Sequence, residues 1–468
     1  MLIYAKDIEY TALTPPTVSI PTPPADLSDA VYESHLASLC AAMKAAGLDA
    51  VVLYADREHG GNFGYITGFE PRFEEACLVV HADHRAWVML GNECLKMHQY
   101  SRIPVQPVHV PYFSLPNQPM EGEMRMADCF RAAQLAPGMK VGLMGWKVFT
   151  GRLADGSRMF DVPHFIVEAV MEAVGSNANV TNAAHLMMGP GDGLRATYSA
   201  EEIAQFEFAA SLASHRVWQV LEEVDIGKTE HELANHLAAC GQPLSCYSMC
   251  ATGDRFTNAV VFPRNKAVVS GDKFTVSMGL RGGLTCRAGY IAEDESQLPE
   301  NVRDYVDALA KPYFAASATW YSTIAPGVTG GEIYAAVDAV LPKSVFNWGL
   351  NPGHLTGMEE WLSSPIEKDS PIMLLSGMVL QMDIIPRMPP YGGASAEDGV
   401  ALADEALRNE LKEHFPETWS RMQRRRSYII DVLGIPLDES VLPMSDTVGY
   451  LRPLLLARGN ALRVRSGI

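Results

Sequence analysis

The sequence predicts a chain of two domains, an α/β domain followed by an α+β domain made of two similar halves. Short apolar runs at residues 48–54, 77–81 and 87–90 alternate with helical patterns as far as residue 184, and this alternation is typical of an α/β domain. A cluster of turn-forming residues at 189–193 marks the boundary. A weak repeat beyond that boundary predicts the two similar halves.

A proline-rich segment begins the chain. Its prolines lie among Thr and Ser residues, at positions 15, 16, 21, 23 and 24. Such a composition favours extended structure with little to bury. We therefore expect residues 1–29 to form an arm that lies on a neighbouring subunit. A helical pattern from Tyr32 to Ala46 then opens the α/β domain, which we assign to residues 30–188.

The α+β domain, residues 194–468, begins with a capping box. Ser199 precedes a long helical pattern and Glu202 stands three residues later, so that each side chain can bond the backbone amide of the other residue. Further along, residues 227–233 (GKTEHEL) and 327–333 (GVTGGEI) share Gly, Thr and Glu at the same spacing. In each copy the Thr is expected to cap a short helix that follows a long one, which predicts an internal pseudo-two-fold repeat.

Composition and charge exclude several classes of function. The chain has 468 residues, of which 48% are hydrophobic and 20% are charged, a globular mixture that rules out a disordered or fibrous protein. The 37 Lys and Arg residues against 55 Asp and Glu residues give a net charge of −18, which repels nucleic acid and anionic lipid. We therefore expect neither as a partner and predict a small-molecule substrate.

The sequence also predicts a cytoplasmic location. No segment approaches the roughly 18 uninterrupted apolar residues of a membrane span, and the N-terminus lacks a basic region followed by an apolar one. The eight cysteines are scattered without a CxxC pair, a pattern typical of buried thiols in a reducing compartment.

Several short segments occur in an order that resembles the pita-bread fold shared by methionine aminopeptidase, aminopeptidase P, prolidase and creatinase. They lie at residues 194–195, 199–203, 227–230, 271–272, 352–354, 377–379 and 397–398. Residues 65–69 (YITGF) resemble the N-terminal domain of the prolidase and creatinase branch. The resemblance implies a creatinase-type N-terminal α/β domain followed by an α+β pita-bread domain.

The resemblance also implies where the ligands of a metal pair would lie. Peptidases of this family use two Asp residues on a hairpin, then a His and two Glu residues. The two Asp positions are Ser277 and Ala288 in this chain, and neither can bind a hard cation strongly because such sites need anionic oxygens. The His position is His354, and the two Glu positions are Asp383 and Glu397. We therefore expect no metal pair and no cofactor, with a single weak divalent ion left open.

Two further histidines of the family are replaced as well. A second His, seven residues after the metal-binding one, is Trp361 here, and the proton-transfer His of the loop before the hairpin falls near Val260. Creatinase also lacks the metal pair and hydrolyses a C–N bond by acid–base chemistry, although it keeps the loop His. The resemblance therefore implies a creatinase-like branch of the family that has lost metal ligands.

His354, Asp383 and Glu397 are the candidate catalytic residues. His354 follows a Pro-Gly turn, and an imidazole with an ordinary pKa of about 6.5 can serve as acid and base near neutral pH. Asp383 stands in an otherwise apolar run at 379–385, where a carboxylate needs a partner or a raised pKa. Glu397 lies between a Gly-Gly turn and an apolar strand. We expect the three side chains to share one cleft.

Four further residues are candidates for substrate binding. The planar fork of Arg255 suits a substrate carboxylate, and Trp361 would supply a large apolar wall. Arg72 and Phe73 lie close to where creatinase supplies residues to the active site of its partner subunit. The resemblance therefore implies a homodimer in which the N-terminal domain of one chain covers the cleft of the other.

Three functions follow from these residues. The first is a metal-independent, creatinase-like hydrolase of a small non-peptide C–N bond, with a guanidine-, amide- or amine-type substrate and His354 as acid and base. The second is a Xaa-Pro peptidase-like metallohydrolase with one reduced metal site at His354, Asp383 and Glu397. The third is a catalytically inactive module that binds peptide. We expect the first.

Overall fold

The computed structural model describes residues 1–71, 73–256 and 262–467. They form two compact units, of which the first consists of residues 27–196. The second consists of residues 197–468 together with residues 1–26. Among the described residues, no helix is long and apolar enough to cross a membrane.

The N-terminal segment is held by its own chain. Strand β1 (Ile8–Ala12) pairs antiparallel with Asn460–Val464, near the other end of the sequence. Beyond β1, the carbonyl of Thr14 accepts a hydrogen bond from the Tyr428 hydroxyl at 2.8 Å, and the amide of Ser19 donates to the carboxylate of Asp446 at 3.1 Å. The expected arm on a neighbouring subunit is therefore a strap on the second unit of the same chain.

Residues 27–196 form the predicted α/β unit. Its helices and strands are α1 (Asp29–Ala45), β2 (Ala50–Ala55), α2 (Gly61–Thr67), β3 (Ala76–His81), β4 (Ala86–Leu90), β5 (Gln106–His109), α3 (Met126–Ala132), β6 (Val141–Met144), α4 (His164–Val174), β7 (Val180–Asn182) and α5 (His185–Met188). The strands form one sheet in the order β5-β4-β3-β2-β6-β7. Strands β2, β3 and β4 are the three predicted apolar runs, and all of their residues are buried. Burial on both faces explains why these runs lack alternation.

The other unit contains two four-stranded sheets and the longer helices. Its elements are α6 (Ala200–Glu223), α7 (Glu230–Ala234), β8 (Leu244–Thr252), β9 (Lys273–Leu280), β10 (Gly283–Tyr290), α8 (Lys311–Thr323), α9 (Gly330–Val340), α10 (Lys343–Phe346), β11 (His354–Leu355), β12 (Val379–Gln381), β13 (Ser395–Glu397), β14 (Gly399–Leu402), α11 (Glu405–His414), α12 (Pro416–Ser427), β15 (Val441–Pro443) and β16 (Asn460–Val464). One sheet has the order β13-β10-β9-β8 and the other β11-β12-β14-β15.

The two copies of the internal repeat make the same hydrogen bonds. The Thr229 and Thr329 hydroxyls accept from the amides of Glu232 and Glu332, and each Glu returns a bond to the Thr amide. The glycine two residues before each Thr has a φ of +90°, which favours glycine. In both copies this glycine's amide donates to a backbone carbonyl a few residues before a strand, that of Val268 before β9 or that of Leu374 before β12. The capping motif and its β partner are therefore repeated together, as predicted.

Helix α6 packs across the β13-β10-β9-β8 sheet and supplies much of the core between them. Its capping box is present, since the Ser199 amide donates to the Glu202 carboxylate at 2.9 Å. Val217 and Leu221 of the helix belong to one buried cluster with Val276 and Met278 of β9. Burial of these side chains holds the hairpin formed by β9 and β10 against the helix.

The chain passes from one sheet to the other at Asp398, between the end of β13 and the start of β14. The Asp398 carboxylate is completely buried and forms an ion pair with Arg287 of β10. It also accepts hydrogen bonds from the hydroxyls of Thr285, Ser445 and Thr447, at 2.8, 2.7 and 3.2 Å. These contacts hold the crossing in place, and with it the neighbouring Glu397.

We predict that Asp398→Asn lowers the free energy of unfolding of the second unit by about 3–5 kcal/mol, because it leaves the buried Arg287 charge without its partner. Urea denaturation followed by circular dichroism measures the change. Asp307→Asn is the control within the same unit, since Asp307 is 71% exposed where it pairs with Lys311. It should cost at most about 1 kcal/mol. Equal effects of the two variants would contradict the structural role of Asp398.

Candidate active site

Four polar side chains from three parts of the second unit come together beside the sheet crossing. His354 begins β11, Asp383 follows the end of β12 by two residues, and Glu397 ends β13. Glu360 belongs to the segment after β11 and reaches the His354 ring. We call these four residues the carboxyl–imidazole cluster. The structure thus brings together all three residues that were predicted to be catalytic.

Asp383 and Glu397 form a buried carboxyl pair. Their side chains are hydrogen-bonded to each other, and since a carboxylate has no proton to donate, one of them holds a shared proton. Burial and then the charge of Asp383 raise the pKa of Glu397 well above its ordinary value. Burial also raises the pKa of Asp383, against the opposing effects of His354 and of the bond to Glu397. Glu397 is therefore the proton donor of the pair and Asp383 the acceptor.

His354 is completely buried and is held on three sides. Its Nδ1 lies 3.1 Å from the carbonyl oxygen of Leu355, and its Nε2 lies 3.3 Å from Oε1 of Glu360. The Trp361 ring stacks on the imidazole with 4.1 Å between centroids. Burial lowers the pKa of His354, but Glu360 and Asp383 outweigh burial, so that the pKa lies above its ordinary value. His354 therefore holds its proton more strongly than an ordinary histidine does.

The hairpin carries small side chains where the family resemblance places aspartates. Ser277 of β9 pairs with Cys286 of β10, and Cys286 pairs with Glu397 of β13. Directly paired residues project from the same face of a sheet, so Ser277 shares a face with Glu397. Ala288 lies two residues beyond Cys286 and therefore on this face as well. The Ser277 hydroxyl is buried without a hydrogen-bond partner among the described residues.

The donor set does not fit the metal pair that the family resemblance implies. Two ions about 3.5–4 Å apart need carboxylates that bridge them, and the hairpin provides Ser277 and Ala288 instead. Among the described residues, no group of three or more His, Cys, Asp or Glu side chains is placed to hold a metal ion. The hairpin therefore lacks the bridging carboxylates that a metal pair needs.

Arg255 is engaged in a structural ion pair. Its guanidinium pairs with Glu230, which is fully buried, and it also donates to the carbonyl of Phe262. The same Glu230 carboxylate accepts from the amides of Thr252 and Arg264, both at 2.8 Å. This network joins α7 to the end of β8 and to the segment before β9. A role for Arg255 in substrate binding stays a prediction.

The other predicted residues fall in different surroundings. Trp361 lies against His354, as the stack above describes, so the structure brings it to the cluster. Phe73 belongs to the N-terminal unit, where its side chain is 64% exposed. Arg72 and Val260 lie outside the described residues. The partner-covered cleft and the homodimer stay predictions.

Glu360 was missed by the sequence analysis. It stands next to Trp361, which occupies the position of the family's second His. An acidic residue next to a position that is expected to face the site could have indicated a role for Glu360. In the sequence, however, Glu359-Glu360 resembles an ordinary charged turn. Only the folded segment shows that Glu360 faces the Nε2 atom of His354.

Comparison with known proteins supports the fold. No protein-family model matches the chain. A curated relative, an uncharacterised peptidase named YqhT from Bacillus subtilis (strain 168), is 28% identical over 226 residues, which are 46% of this chain. The match spans 62% of that relative's length.

Several solved structures superpose on most of the chain. The dipeptidase PepE from Mycobacterium ulcerans has a TM-score of 0.62 at 19% identity, over 81% of this chain and 95% of its own. The prolidase from Pyrococcus horikoshii OT3 gives 0.60 at 17%, over 79% and 95%. The Xaa-Pro dipeptidase from Bacillus anthracis gives 0.61 at 16%, over 80% and 96%. The chain has the pita-bread fold.

These comparisons correct the expected function. The relatives are named as peptidases, dipeptidases and prolidases, so a hydrolase that is restricted to non-peptide C–N bonds was the wrong prediction. The prediction that no cofactor is used is contradicted as well, because prolidases and aminopeptidase P belong to the metal-dependent part of the family. The creatinase-like branch is not supported. Ser277 and Ala288 concern metal ligands, and the loss of metal ligands does not define a substrate.

We predict that Ser277→Asp combined with Ala288→Asp binds Mn²⁺ at least tenfold more tightly than the wild-type chain, because both new carboxylates would project from the face that carries Glu397. Isothermal titration calorimetry measures the affinity. Ser270→Asp, in an exposed turn, is the control for added charge. An unchanged affinity in the double variant would show that these positions do not correspond to the family's aspartates.

We also predict that Glu397→Gln removes a pH dependence of stability. With its pKa raised in the folded chain, Glu397 stays protonated at pH values where the unfolded chain has lost that proton. Stability therefore falls as the pH rises from the unfolded pKa toward the folded one. Near pH 4 the variant and the wild type should be equally stable, and at pH 8 the variant should be more stable by at least about 1 kcal/mol. Urea denaturation at both pH values tests this, and a difference that is independent of pH would contradict it.

Proposed function

We propose that the second unit hydrolyses a peptide bond in a short peptide, as a dipeptidase or an X-Pro aminopeptidase does. The names of the relatives support this substrate class. The fold supports it too. The solved structures that superpose on the chain are named as a dipeptidase, a prolidase and a Xaa-Pro dipeptidase, and the superposition covers most of the length of each. A Xaa-Pro peptide is the substrate to test first.

The observation that carries the proposal is the buried carboxyl pair beside a buried imidazole. Asp383 and Glu397 share a proton, and His354 lies within electrostatic range of Asp383. Oδ1 of Asp383 is buried without a hydrogen-bond partner among the described residues. Unpaired buried polar groups are costly, and titratable groups whose pKa values are displaced in this way concentrate at functional sites.

The proposed roles follow from the charge on each group. Asp383, the acceptor of the pair, takes a proton from the water that attacks the carbonyl carbon of the peptide. Glu397 donates its proton to the departing amine, and the cationic His354 faces the negative charge that develops on the carbonyl oxygen. A carboxyl pair that shares one proton performs the acid and base steps of aspartic proteases in the same manner.

A second candidate function is peptide binding without turnover. Ser277 and Ala288, in place of two family aspartates, favour it, because the family's peptidases carry out hydrolysis with those ligands. Under this alternative the carboxyl–imidazole cluster would recognise a peptide and leave its bonds intact. The two functions differ in one observable, the release of free amino acid.

We predict release of amino acid from Xaa-Pro dipeptides or Xaa-Pro-Yaa tripeptides, measured by chromatography on the protein as purified and with added Mn²⁺ or Co²⁺. Asp383→Asn should lower kcat/KM by about 10²–10⁴, the usual contribution of a general base. Glu413→Gln, at an exposed position of α11, removes a carboxylate outside the site and should leave the rate unchanged.

Calorimetric titration with the same peptides separates the remaining cases. If the peptides bind but no amino acid is released in any of the metal conditions, hydrolysis is wrong and peptide binding without turnover is the function. The absence of both binding and turnover across the panel would overturn the peptide as the ligand class.

A further inference from the structure

A row of paired residues crosses the β13-β10-β9-β8 sheet beside the candidate active site. Met249 of β8 pairs with Ser277 of β9. Ser277 pairs in turn with Cys286 of β10, and Cys286 pairs with Glu397 of β13. Because directly paired residues project from the same face of a sheet, all four side chains lie on the face that carries Glu397. We call these four residues the cross-strand row.

Ser277 is the member of the cross-strand row whose polar group lacks a partner. Its side chain has no exposure, and in the part of the chain that the structure describes its hydroxyl makes no hydrogen bond. A buried hydroxyl without a partner is destabilising, and folded proteins keep few such groups. A ligand atom within reach of Ser277 would supply the missing hydrogen bond.

The neighbours of Ser277 in the cross-strand row give a ligand access to its hydroxyl. Cys286 on one side and Met249 on the other are both partly exposed. Directly paired residues have their β-carbons about 4.5–5.5 Å apart, so the Met249 side chain stands beside the hydroxyl. A methionine side chain is unbranched and flexible. Its rotation can therefore uncover Ser277 without a change in the backbone.

The spacing of the strands fits a short peptide. Neighbouring strands lie about 4.8 Å apart, so the backbones of Ser277 and Glu397, two strands apart, are separated by about 10 Å. An extended peptide advances about 3.3–3.6 Å per residue, and both side chains reach into the gap. When the scissile bond lies at Glu397, Ser277 therefore meets a group one or two residues away. In a dipeptide or tripeptide that group is an end of the molecule.

The charges around the cross-strand row favour the amino end of the peptide. The carboxyl–imidazole cluster has three acidic side chains and one basic side chain. Arg287, one residue after Cys286, projects from the opposite face of the sheet, where it pairs with Asp398. Acidic surroundings attract an ammonium group and repel a carboxylate. A serine hydroxyl can accept a hydrogen bond from an ammonium group.

We infer that the Ser277 hydroxyl binds the free α-ammonium group of the peptide, and that the amino end of the substrate lies along the cross-strand row. The inference rests on the proposed function for the position of the scissile bond. For Ser277 it rests on the sheet register and on the unpartnered hydroxyl. A serine at this hairpin position binds a cation poorly, but it can recognise the substrate.

The experiment compares Ser277→Ala and Ser277→Cys with the control Ser317→Ala. Ser317 of α8 is the matched control, because it is also buried and its hydroxyl also has no partner among the described residues, while it lies outside the cross-strand row. The probes are the tripeptide Ala-Pro-Ala and the same peptide with an acetylated amino group. Isothermal titration calorimetry measures their affinities, and chromatography measures the release of amino acid.

The wild type should bind Ala-Pro-Ala at least tenfold more tightly than the acetylated peptide. Ser277→Ala should weaken binding of Ala-Pro-Ala at least fivefold and change binding of the acetylated peptide less than twofold, because only the free amine uses the hydroxyl. Ser277→Cys, whose thiol is a weak hydrogen-bonding group of similar shape, should also weaken binding of the free peptide. Ser317→Ala should match the wild type with both peptides.

Urea denaturation separates recognition from a structural role. Ser277→Ala and Ser317→Ala each remove an unpartnered buried hydroxyl, so neither should lower the midpoint of unfolding. An affinity of Ser277→Ala for Ala-Pro-Ala equal to that of the wild type would overturn the inference. An equal loss of affinity for both peptides would overturn it as well. If Ser277→Ala does not fold, Ser277→Cys carries the same comparison.

The same measurements distinguish this inference from the proposed function. If the wild type binds Ala-Pro-Ala and releases no amino acid, hydrolysis fails, and the affinities of the Ser277 variants still decide the role of the hydroxyl. If amino acid is released and Ser277→Ala binds the free peptide as tightly as the wild type does, hydrolysis stands and the inference fails. The absence of binding and turnover with both peptides would overturn both.

Discussion

The buried ion pair between Arg287 and Asp398 is the interaction on which the candidate site depends. Asp398 occupies the step at which the chain leaves one sheet and enters the other. A buried carboxylate is tolerated only with compensating charge and hydrogen bonds, and these come from β10 and from residues 445–447. Because these contacts fix the backbone at the crossing, they also fix the position of Glu397 at the end of β13.

The two similar halves of the second unit contribute unequally to the chemistry. The half with the β9–β10 hairpin presents small side chains, Ser277 and Ala288, on the face that carries Glu397. The other half supplies His354, Glu360 and Asp383. A repeat that keeps its capping boxes and strand pairing can therefore lose polar groups from one copy without losing its fold, because backbone hydrogen bonds and apolar burial specify the architecture.

Charge compensation explains how so many acidic groups share one buried region. The pKa of Glu397 is raised well above its ordinary value by burial and by Asp383, and the carboxylates of Glu360 and Asp383 raise the pKa of His354 against the effect of burial. With Glu397 and His354 protonated, the three carboxyl groups and one imidazole together carry one net negative charge. The cost of the arrangement is a site whose stability varies with pH, as is common where function requires buried titratable groups.

The sequence by itself determined the parts of the protein that depend on local physics. Capping boxes at Ser199, Thr229 and Thr329 involve residues three positions apart, and the β2–β4 runs show their burial directly in composition, so both could be predicted. Asp383 could be found because a lone carboxylate in an apolar run is costly.

Tertiary structure alone decided the rest. The strap joins residues such as Ser19 and Asp446, 427 positions apart, and Glu360 meets His354 only because the segment after β11 folds back on itself. Such contacts follow from the packing of distant segments, for which a single sequence carries no local pattern.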